Sequence, residues 1–443
     1  MEIDIINKSL SILYSLFILG NALFVKKHMG TFLFPASIFS LFWFAYTFFP
    51  LIFIPIPTEP LAIFFILLCT IIFTASSLFF DWKKAFYTNI VKLNLKDKVS
   101  LYDNNFIKII FFSMQILVVI FLIINLSIQG FSLHEIIFNT LDSANKYMSM
   151  RYSHSIIPNI FSQLALMLNY VGVILGGILL INTKKLKISI IILIMAFFPS
   201  ILIMITQAAK GYIFLSSVLF YSGVLIARIN LGDISLTNKK TNKIILYLIL
   251  LIFPALIISF LSRGIYQNSS DIIINKLIYY LSSYAFGHLF AFSDWFSYYI
   301  NGSSLLQYEP TDSPYYGFYT FMSIFKFLGS SIIVPAGVYD DYYIYDTIIK
   351  TNIYTIYRGL ILDFGLWGTL IFWFLLGILS HIAFYILLIS KRPTISIAFF
   401  SIIMGFFYMS YIISILMWNS IFASAIVLTF VLYINKYSQY ERK

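Results

Sequence analysis

The polar stretch from Thr351 to Gly365 contains the residues of this chain whose types best suit chemistry. Arg358 and Asp363 lie in it, directly before an apolar run of membrane-spanning length. Charged groups beside the hydrocarbon region are energetically costly, so an arginine and a carboxylate at this boundary indicate a function. Arg358 is predicted to bind an anion. Asp363 is predicted either to act as a base toward a hydroxyl or to cap the helix that follows.

Three further cations lie beside the ends of apolar runs, namely Arg151, Lys210 and Arg263. Arginine suits planar, bidentate recognition of phosphate oxygens, and lysine suits a point-charge contact. With Arg358 they predict a cluster that holds a pyrophosphate at one membrane surface. The alternative left open by the sequence is that each cation anchors a helix end among lipid headgroups.

Other side chains between the apolar runs suit proton transfer or sugar binding. His154 and His288 are candidate bases, although a lone loop histidine is more often a surface group. Aromatic rings, dense between residues 279 and 345, offer an apolar face to sugar rings; the alternative is an ordinary interfacial belt. The belt is expected for most of the rings in 279–299. Carbohydrate contact is expected in 312–345, with interspersed hydroxyl acceptors at Asp312, Asp340, Asp341 and Asp346.

The composition determines which elements position these residues. The chain has 443 residues, of which 60% are hydrophobic and 11% charged, with a mean hydropathy of +0.91. Soluble proteins carry about 25% charged residues. Repeated apolar runs of about 20 residues predict an all-α polytopic membrane protein, whereas a β-barrel would alternate polar and apolar residues. The net charge of +11 is spread over short loops, which argues against a nucleic-acid partner.

Metal and redox chemistry are not indicated by the sequence. Cys69 is the single cysteine, so the chain cannot form an internal disulfide. The five histidines lack metal-binding spacing, and no phosphate-binding P-loop motif occurs. No metal and no cofactor are therefore predicted.

Hydropathy predicts eleven membrane helices, within a range of ten to twelve. The short joints at 207–210 and 414–415 also fit kinked or re-entrant elements. The predicted spans are 8–25, 31–53, 60–80, 105–128, 156–182, 188–206, 211–227, 244–262, 364–390, 395–413 and 416–435.

Lysines and arginines concentrate in alternate loops, such as 83–98 and 228–243. The positive-inside rule makes those loops cytoplasmic, with an external N-terminus and a cytoplasmic C-terminus. The chain then divides into a membrane bundle of about eight helices at 1–262, a large external segment at 263–363, and about three helices with a short tail at 364–443. Within the external segment, one or two helices are predicted over 271–300 and irregular structure over 301–345.

Several short motifs accompany this layout. They are Arg263-Gly264 after a helix, the segments Gly287–Asp294 and Gly317–Phe321, and Asn352–Gly368 with Thr355, Asp363, Phe364 and Gly365. Together with the single large external segment, they resemble the Wzy-type oligosaccharide repeat-unit polymerases of bacteria, which make O-antigen and capsule. The resemblance covers the chain loosely and residues 260–380 best. Lys210 stands where the family often has an arginine before glycine.

The resemblance implies a metal-independent membrane glycosyltransferase with GT-C-like architecture. Such enzymes join oligosaccharides carried on undecaprenyl pyrophosphate at the outer face of the bacterial inner membrane, among membrane lipids. Whether a chain-length regulator binds is left open. The residues expected to be catalytic are Arg263, Arg358, Asp363 and His154, and those expected to bind substrate are Arg151, Lys210, His288, Asp294, Asp312, Tyr316 and Tyr357.

Two alternative functions fit the same hydropathy pattern. An O-antigen ligase shares the architecture but transfers the glycan to lipid A core. A flippase for lipid-linked oligosaccharides is expected to place charges deep inside its helices. The predicted helix centres here are nearly free of charge, which favours the glycosyltransferase.

Overall fold

The computed structural model of the chain is helical, with one small antiparallel sheet. It describes residues 2–94, 104–183, 185–207, 209–261, 270–308, 315–332, 338–391 and 393–438. Arg263 and Asp312 lie outside the described residues, so their predicted roles stay predictions.

Sixteen α-helices occur in the described ranges. They are α1 (Glu2–Met29), α2 (Pro35–Phe53), α3 (Pro60–Ala75), α4 (Trp82–Asn94), α5 (Asn105–Ile128), α6 (Leu133–Phe138), α7 (Thr140–Tyr152), α8 (Ile160–Asn182), α9 (Leu186–Gln207), α10 (Gly211–Asn230), α11 (Lys239–Leu261), α12 (Ser270–Asn301), α13 (Phe318–Phe327), α14 (Thr355–Ile389), α15 (Thr394–Met409) and α16 (Asn419–Ser438). Strands β1 (Tyr343–Tyr345) and β2 (Ile349–Thr351) form the sheet, and two short 3₁₀ helices cover Ser76–Phe79 and Ile415–Met417.

Ten of the described helices are long and apolar enough to cross a membrane, which confirms a multi-pass helical membrane protein. They correspond to ten of the eleven predicted spans. The exception is the span predicted at 395–413, where α15 has 16 residues. At a rise of 1.5 Å per residue it extends about 24 Å, short of the hydrocarbon thickness of about 30 Å.

Helix α14 begins earlier than the sequence predicts. The predicted start was residue 364, but the helix runs over Thr355–Ile389 and is kinked at Gly365, where φ is 67° and ψ is −176°. Glycine adopts this positive φ without the steric penalty of a Cβ. Arg358 and Asp363 therefore lie on a helical segment before the kink, and not in a loop.

The region 263–363 is more regular than expected. The one or two short helices predicted over 271–300 are a single helix, α12, which has 32 residues and is therefore not short. The irregular structure predicted over 301–345 is wrong in part, because α13 and β1 lie within that range. The hairpin pairs Tyr343 with Thr351 and Tyr345 with Ile349.

The described chain divides into two compact units. The first contains residues 1–82, 274–384 and 406–418. Its core is aromatic. The ring centroids of Phe39 and Trp373 lie 4.5 Å apart, and those of Trp43 and Tyr357 lie 4.6 Å apart. This core supports the first part of α14, which carries Arg358.

The second unit contains residues 83–273, 385–405 and 419–443. Helices α8 and α10 approach closely in it, because glycines face the opposing backbone. A Cβ at Gly177 would lie 2.0 Å from the Phe220 carbonyl oxygen, and one at Gly223 would lie 2.2 Å from the Ile174 carbonyl oxygen. Small residues at helix contacts are typical of packing within membranes.

Candidate functional site

Arg358 is the centre of a buried charged site in the first unit. It lies in the first turns of α14, and its side chain is only 9% exposed. Its Nη2 donates a hydrogen bond of 2.5 Å to Oδ2 of Asp341, whose side chain is 31% exposed. A charge-assisted contact of this kind is stronger than a neutral hydrogen bond.

Four aromatic rings surround the guanidinium of Arg358. Its central carbon lies 4.2 Å from the ring centroid of Tyr354, 4.3 Å from Tyr339, 5.3 Å from Tyr308 and 5.5 Å from Trp295. Each distance is within the range of a cation–π contact. The rings fix the guanidinium and shield it from water. We call Arg358, Asp341 and these four aromatic residues the arginine cage.

Two donors of the arginine cage remain open. Nε and Nη1 of Arg358 are buried and have no hydrogen-bond partner among the described residues. A buried donor without a partner costs about 1–3 kcal/mol, and more when it is charged. Such a group in a native structure needs a physical explanation, and one is that an anionic ligand supplies the missing acceptors.

The hairpin and its flanks bring the cage residues together. Asp341 precedes β1, and Tyr354 follows β2 directly before α14. Asn352 donates a long hydrogen bond of 3.5 Å to the carbonyl of Tyr339. Gly359 leaves room for the Tyr339 ring, since a Cβ there would lie 3.2 Å from the Tyr339 hydroxyl. The antiparallel turn thus folds Tyr339 and Asp341 back onto the start of α14.

Asp294, on α12, contacts the arginine cage through Tyr308. Its carboxylate accepts hydrogen bonds from the backbone N–H of Leu305 at 2.7 Å and of Leu306 at 3.4 Å, and from the Tyr308 hydroxyl at 2.9 Å. Burial raises the pKa of Asp294, and these hydrogen bonds oppose that rise. Asp294 thereby positions the Tyr308 ring beside Arg358, and its predicted contact with substrate stays a prediction.

The Asp363 carboxylate accepts hydrogen bonds from the start of α13. It is 1% exposed and accepts hydrogen bonds from the backbone N–H groups of Tyr319 at 3.0 Å and Thr320 at 2.7 Å. The Thr320 hydroxyl donates a third, of 2.6 Å. Gly317, directly before α13, has no side chain to cap that helix, so Asp363 caps α13 from α14. This differs from capping the helix that follows it.

The tyrosines of the site remain protonated at neutral pH. Burial raises the pKa of Tyr354 to about 12, even though Arg358 opposes the rise. Burial likewise raises the pKa of Tyr319 to about 12 and that of Tyr339 further. Their hydroxyls therefore act as hydrogen-bond donors and acceptors and not as bases.

Three other predicted residues of the first unit make none of the contacts that define the arginine cage. His288 is buried, with Nε2 3.0 Å from the Tyr46 carbonyl oxygen, and burial lowers its pKa to about 4. It is therefore neutral at pH 7. Tyr357 is fully buried in the aromatic core, and Tyr316 is 76% exposed with a positive φ of 48°.

The remaining described candidates belong to the second unit. Arg151 donates a hydrogen bond of 2.8 Å from Nη2 to the Gln207 carbonyl oxygen. Lys210 is 1% exposed, with its Nζ 4.1 Å from the ring centroid of Phe260. His154 is exposed at a positive φ of 54°. The cluster of four cations expected from the sequence stays a prediction.

Sequence reasoning identified Arg358 but did not assign most of its partners to the site. The sequence places Asp341, Trp295 and Tyr339 among the dense aromatic and acidic residues between 279 and 345, and it does not distinguish Tyr308 or Tyr354. The usable signal was the concentration of tyrosine and aspartate directly before the hairpin. No group of three or more histidine, cysteine, aspartate or glutamate side chains that could hold a metal occurs in the described ranges.

Comparisons with protein-family models, with curated protein sequences and with solved structures found no match for this chain.

Proposed function

We propose that this protein is a membrane glycosyltransferase that polymerises oligosaccharide units carried on undecaprenyl pyrophosphate. The observation that carries the proposal is the pair of open donors on Arg358, held inside four aromatic rings. A buried cation with unused donors favours an anionic ligand, and rings beside it favour a ligand that also carries sugars. A lipid-linked pyrophosphate sugar combines both chemical features.

In this proposal Arg358 binds the pyrophosphate of the donor. The guanidinium is preorganised by the surrounding rings, so little reorganisation is needed when negative charge develops on the leaving group. The shielded position strengthens the interaction, because electrostatic contacts weaken in water. A phosphate oxygen that reaches Arg358 also competes with Asp341 for the guanidinium.

Asp341 is then the base of the transfer step. The hydroxyl oxygen of the incoming unit attacks the anomeric carbon of the donor sugar, and the bond from that carbon to the pyrophosphate oxygen breaks. The bonding electrons leave with the pyrophosphate, and the Asp341 carboxylate accepts the hydroxyl proton. The growing chain thereby moves from its lipid carrier to the incoming unit.

Asp341 is chosen as the base because nearby carboxylate and imidazole groups of the first unit are held by other contacts. The carboxylates of Asp363 and Asp294 each accept three hydrogen bonds from neighbouring segments. His288 is buried against the Tyr46 carbonyl. Among the described residues Asp341 has one hydrogen-bond partner, Arg358, and its side chain is 31% exposed, so an incoming hydroxyl can reach it.

The test is a polysaccharide ladder gel on a strain that lacks the gene, with and without a plasmid copy. Polymerase activity predicts surface glycolipid with one repeat unit in the deletion strain and a full ladder after complementation. Long chains that accumulate on the lipid carrier without reaching lipid A core would instead assign ligase activity. Loss of surface glycan with single lipid-linked units trapped inside the cell would assign transport, and both outcomes would overturn the proposal.

A further inference from the structure

The second unit contains a pocket of about 170 Å³ that the proposed transfer reaction does not use. It lies among α5, α7, α8, α9 and α10. The polar residues that line it include Asn125, Tyr147, Arg151, Gln163, Gln207 and Tyr212.

The lining favours an anion. Arg151 is the one charged side chain among the lining residues, and no aspartate or glutamate accompanies it. Its Nη2 donates to the Gln207 carbonyl, and its guanidinium carbon lies 5.6 Å from the ring centroid of Tyr147. The guanidinium is thus oriented by fixed neighbours while further donors remain for a ligand. Arginine in this arrangement suits a phosphate group.

The pocket lies at the ends of membrane spans. Asn125 is near the C-terminal end of α5, Gln163 is near the start of α8, Gln207 ends α9, and Tyr212 is in the first turn of α10. These ends meet at one side of the second unit, because consecutive spans run in opposite directions. Residues at such ends lie at the level of the lipid headgroups, where phosphates are abundant.

The size of the pocket limits the ligand. Sites for drug-sized ligands have volumes of about 300–1,000 Å³, so a pocket of about 170 Å³ is too small for an oligosaccharide repeat unit. It has room for one phosphate with a small substituent. A lipid headgroup fits that description, since its acyl chains remain outside the pocket.

Exposed apolar side chains lie on the segments around the pocket. Ile157 and Ile160 are 51% and 65% exposed, and Ile137 and Phe138 of α6 are 64% and 72% exposed. The adjacent Ile136 packs against the hydrophobic cluster that includes pocket-lining residues. Apolar surface outside a phosphate-sized pocket matches a ligand with a charged head and hydrocarbon tails.

We propose that the pocket around Arg151 binds the phosphate of an anionic membrane lipid, independently of the donor site at Arg358. The proposal goes beyond the transfer reaction, because it assigns this pocket to a lipid that is not a substrate. It also separates Arg151 from the cation cluster expected for the pyrophosphate.

The test counts the lipid molecules that the purified full-length protein retains, using native mass spectrometry with dioleoylphosphatidylglycerol as the probe. We expect Arg151→Gln to retain this lipid about tenfold less well, because the variant loses the charge-assisted hydrogen bonds to the phosphate. Lys146→Gln is the matched control, because Lys146 lies on the same helix but contacts the Phe131 ring and does not line the pocket. It should retain the lipid like the wild type.

A second variant helps to distinguish loss of lipid binding from misfolding. Gln163→Leu removes a polar lining group at similar volume and should reduce retention several-fold, with thermal unfolding confirming that each variant is folded. Arg358→Ala should leave retention unchanged, so this result is independent of whether the protein is a polymerase.

Three results would overturn the proposal. The first is wild-type retention by both Arg151→Gln and Gln163→Leu. The second is equal retention of zwitterionic dioleoylphosphatidylcholine, which would remove the preference for an anion. The third is displacement of the lipid by inorganic phosphate at millimolar concentration, which would assign the pocket to a soluble phosphate.

Discussion

Arg228 and Arg358 are both buried arginines that pair with one partly exposed aspartate. The Arg228 side chain is 3% exposed and its partner Asp233 is 37% exposed, while the values for Arg358 and Asp341 are 9% and 31%. The two pairs are therefore similar in burial. They differ in how each arginine uses its hydrogen-bond donors.

Arg228 uses all three of its side-chain nitrogens. Nε and Nη2 donate to Oδ2 of Asp233 at 3.0 and 2.8 Å, and Nη1 donates to the Leu236 carbonyl at 3.2 Å. Nη2 also donates to the Ser235 hydroxyl. All these partners lie within eight residues of Arg228, so the network closes the turn between α10 and α11.

Arg358 instead has one hydrogen-bond acceptor in the described ranges, Asp341, and two open donors. The residues around it come from α12, the segment after α12, the segment before β1, and the segment between β2 and α14. A structural arginine satisfies its donors locally, whereas Arg358 is enclosed by distant segments that leave donors unused. The difference supports a structural role for Arg228 in its turn and is consistent with the anion-binding role proposed for Arg358.

The largest effect is expected at Arg358. Arg358→Ala should reduce polymerisation about 100-fold or more, the range found when one preorganised charge-stabilising donor is removed. Arg358→Lys should restore only part of the activity, because lysine keeps the charge but lacks the planar donors. The measurement is the ladder gel, normalised to the amount of folded protein. Lys350→Ala is the control, since Lys350 is an exposed cation on β2 that contacts the Tyr342 ring.

Arg228→Ala should act on stability instead. Removing one partner of a buried ion pair costs about 3–5 kcal/mol, and the partial exposure of Asp233 places this variant near about 3 kcal/mol. Thermal unfolding of the purified protein should therefore occur at lower temperature, while polymerisation per folded molecule stays near the wild-type value. Loss of polymerisation at a wild-type level of folded protein would contradict the structural role of Arg228.

Asp363→Asn tests whether this carboxylate acts through α13. Asparagine retains the shape but loses the charge that accepts bonds from Tyr319 and Thr320, which should destabilise the start of α13 by about 1–2 kcal/mol. Hydrogen exchange should increase over Phe318–Phe327, and activity should fall only several-fold. Complete loss of the ladder with unchanged exchange would instead assign Asp363 as the base.

The smallest expected effect is the pH dependence of the Arg228 turn. Burial raises the pKa of Asp233, but hydrogen bonds from Ser235, Arg228 and Asn238 outweigh it and lower the pKa from 3.8 to about 2. A depressed folded-state pKa contributes stability that is present above pH 3.8 and is lost as the pH falls toward 2. Solvent screening of this exposed carboxylate limits the contribution to under about 1 kcal/mol.

The measurement compares wild type with Asp233→Asn. The difference in unfolding temperature between the two proteins should be largest near neutral pH and should narrow as the pH falls from 4 to 2. A difference that grows over that interval would reverse the sign of the linkage.

Hydropathy was sufficient to predict ten of the spans, because membrane-spanning helices must be long and continuously apolar. It overestimated α15, whose helix ends at Met409 although apolar residues continue. Hydropathy also placed the start of α14 at the kink, because the polar residues before Gly365 favour the prediction of a loop. Tertiary packing on the aromatic core makes them helical.

The candidate site was only partly predictable for a related reason. Arg358 was visible because a charge beside an apolar run is unusual. Asp341 and the rings of Tyr308 and Tyr354 reach it through the hairpin and the fold of α12, which no local spacing encodes. Asp363 was visible as a polar residue at a helix boundary, but the helix that it caps lies elsewhere in the chain.

The most direct test of the account measures binding of undecaprenyl pyrophosphate to the purified protein by isothermal titration calorimetry. We expect binding by the wild type and binding at least as tight by Asp341→Asn, which lacks the competing carboxylate. Arg358→Ala should bind about 100-fold more weakly. Lys350→Ala should bind like the wild type. Equal affinity of the wild type and a folded Arg358→Ala would contradict the claim that the open donors of Arg358 receive the pyrophosphate.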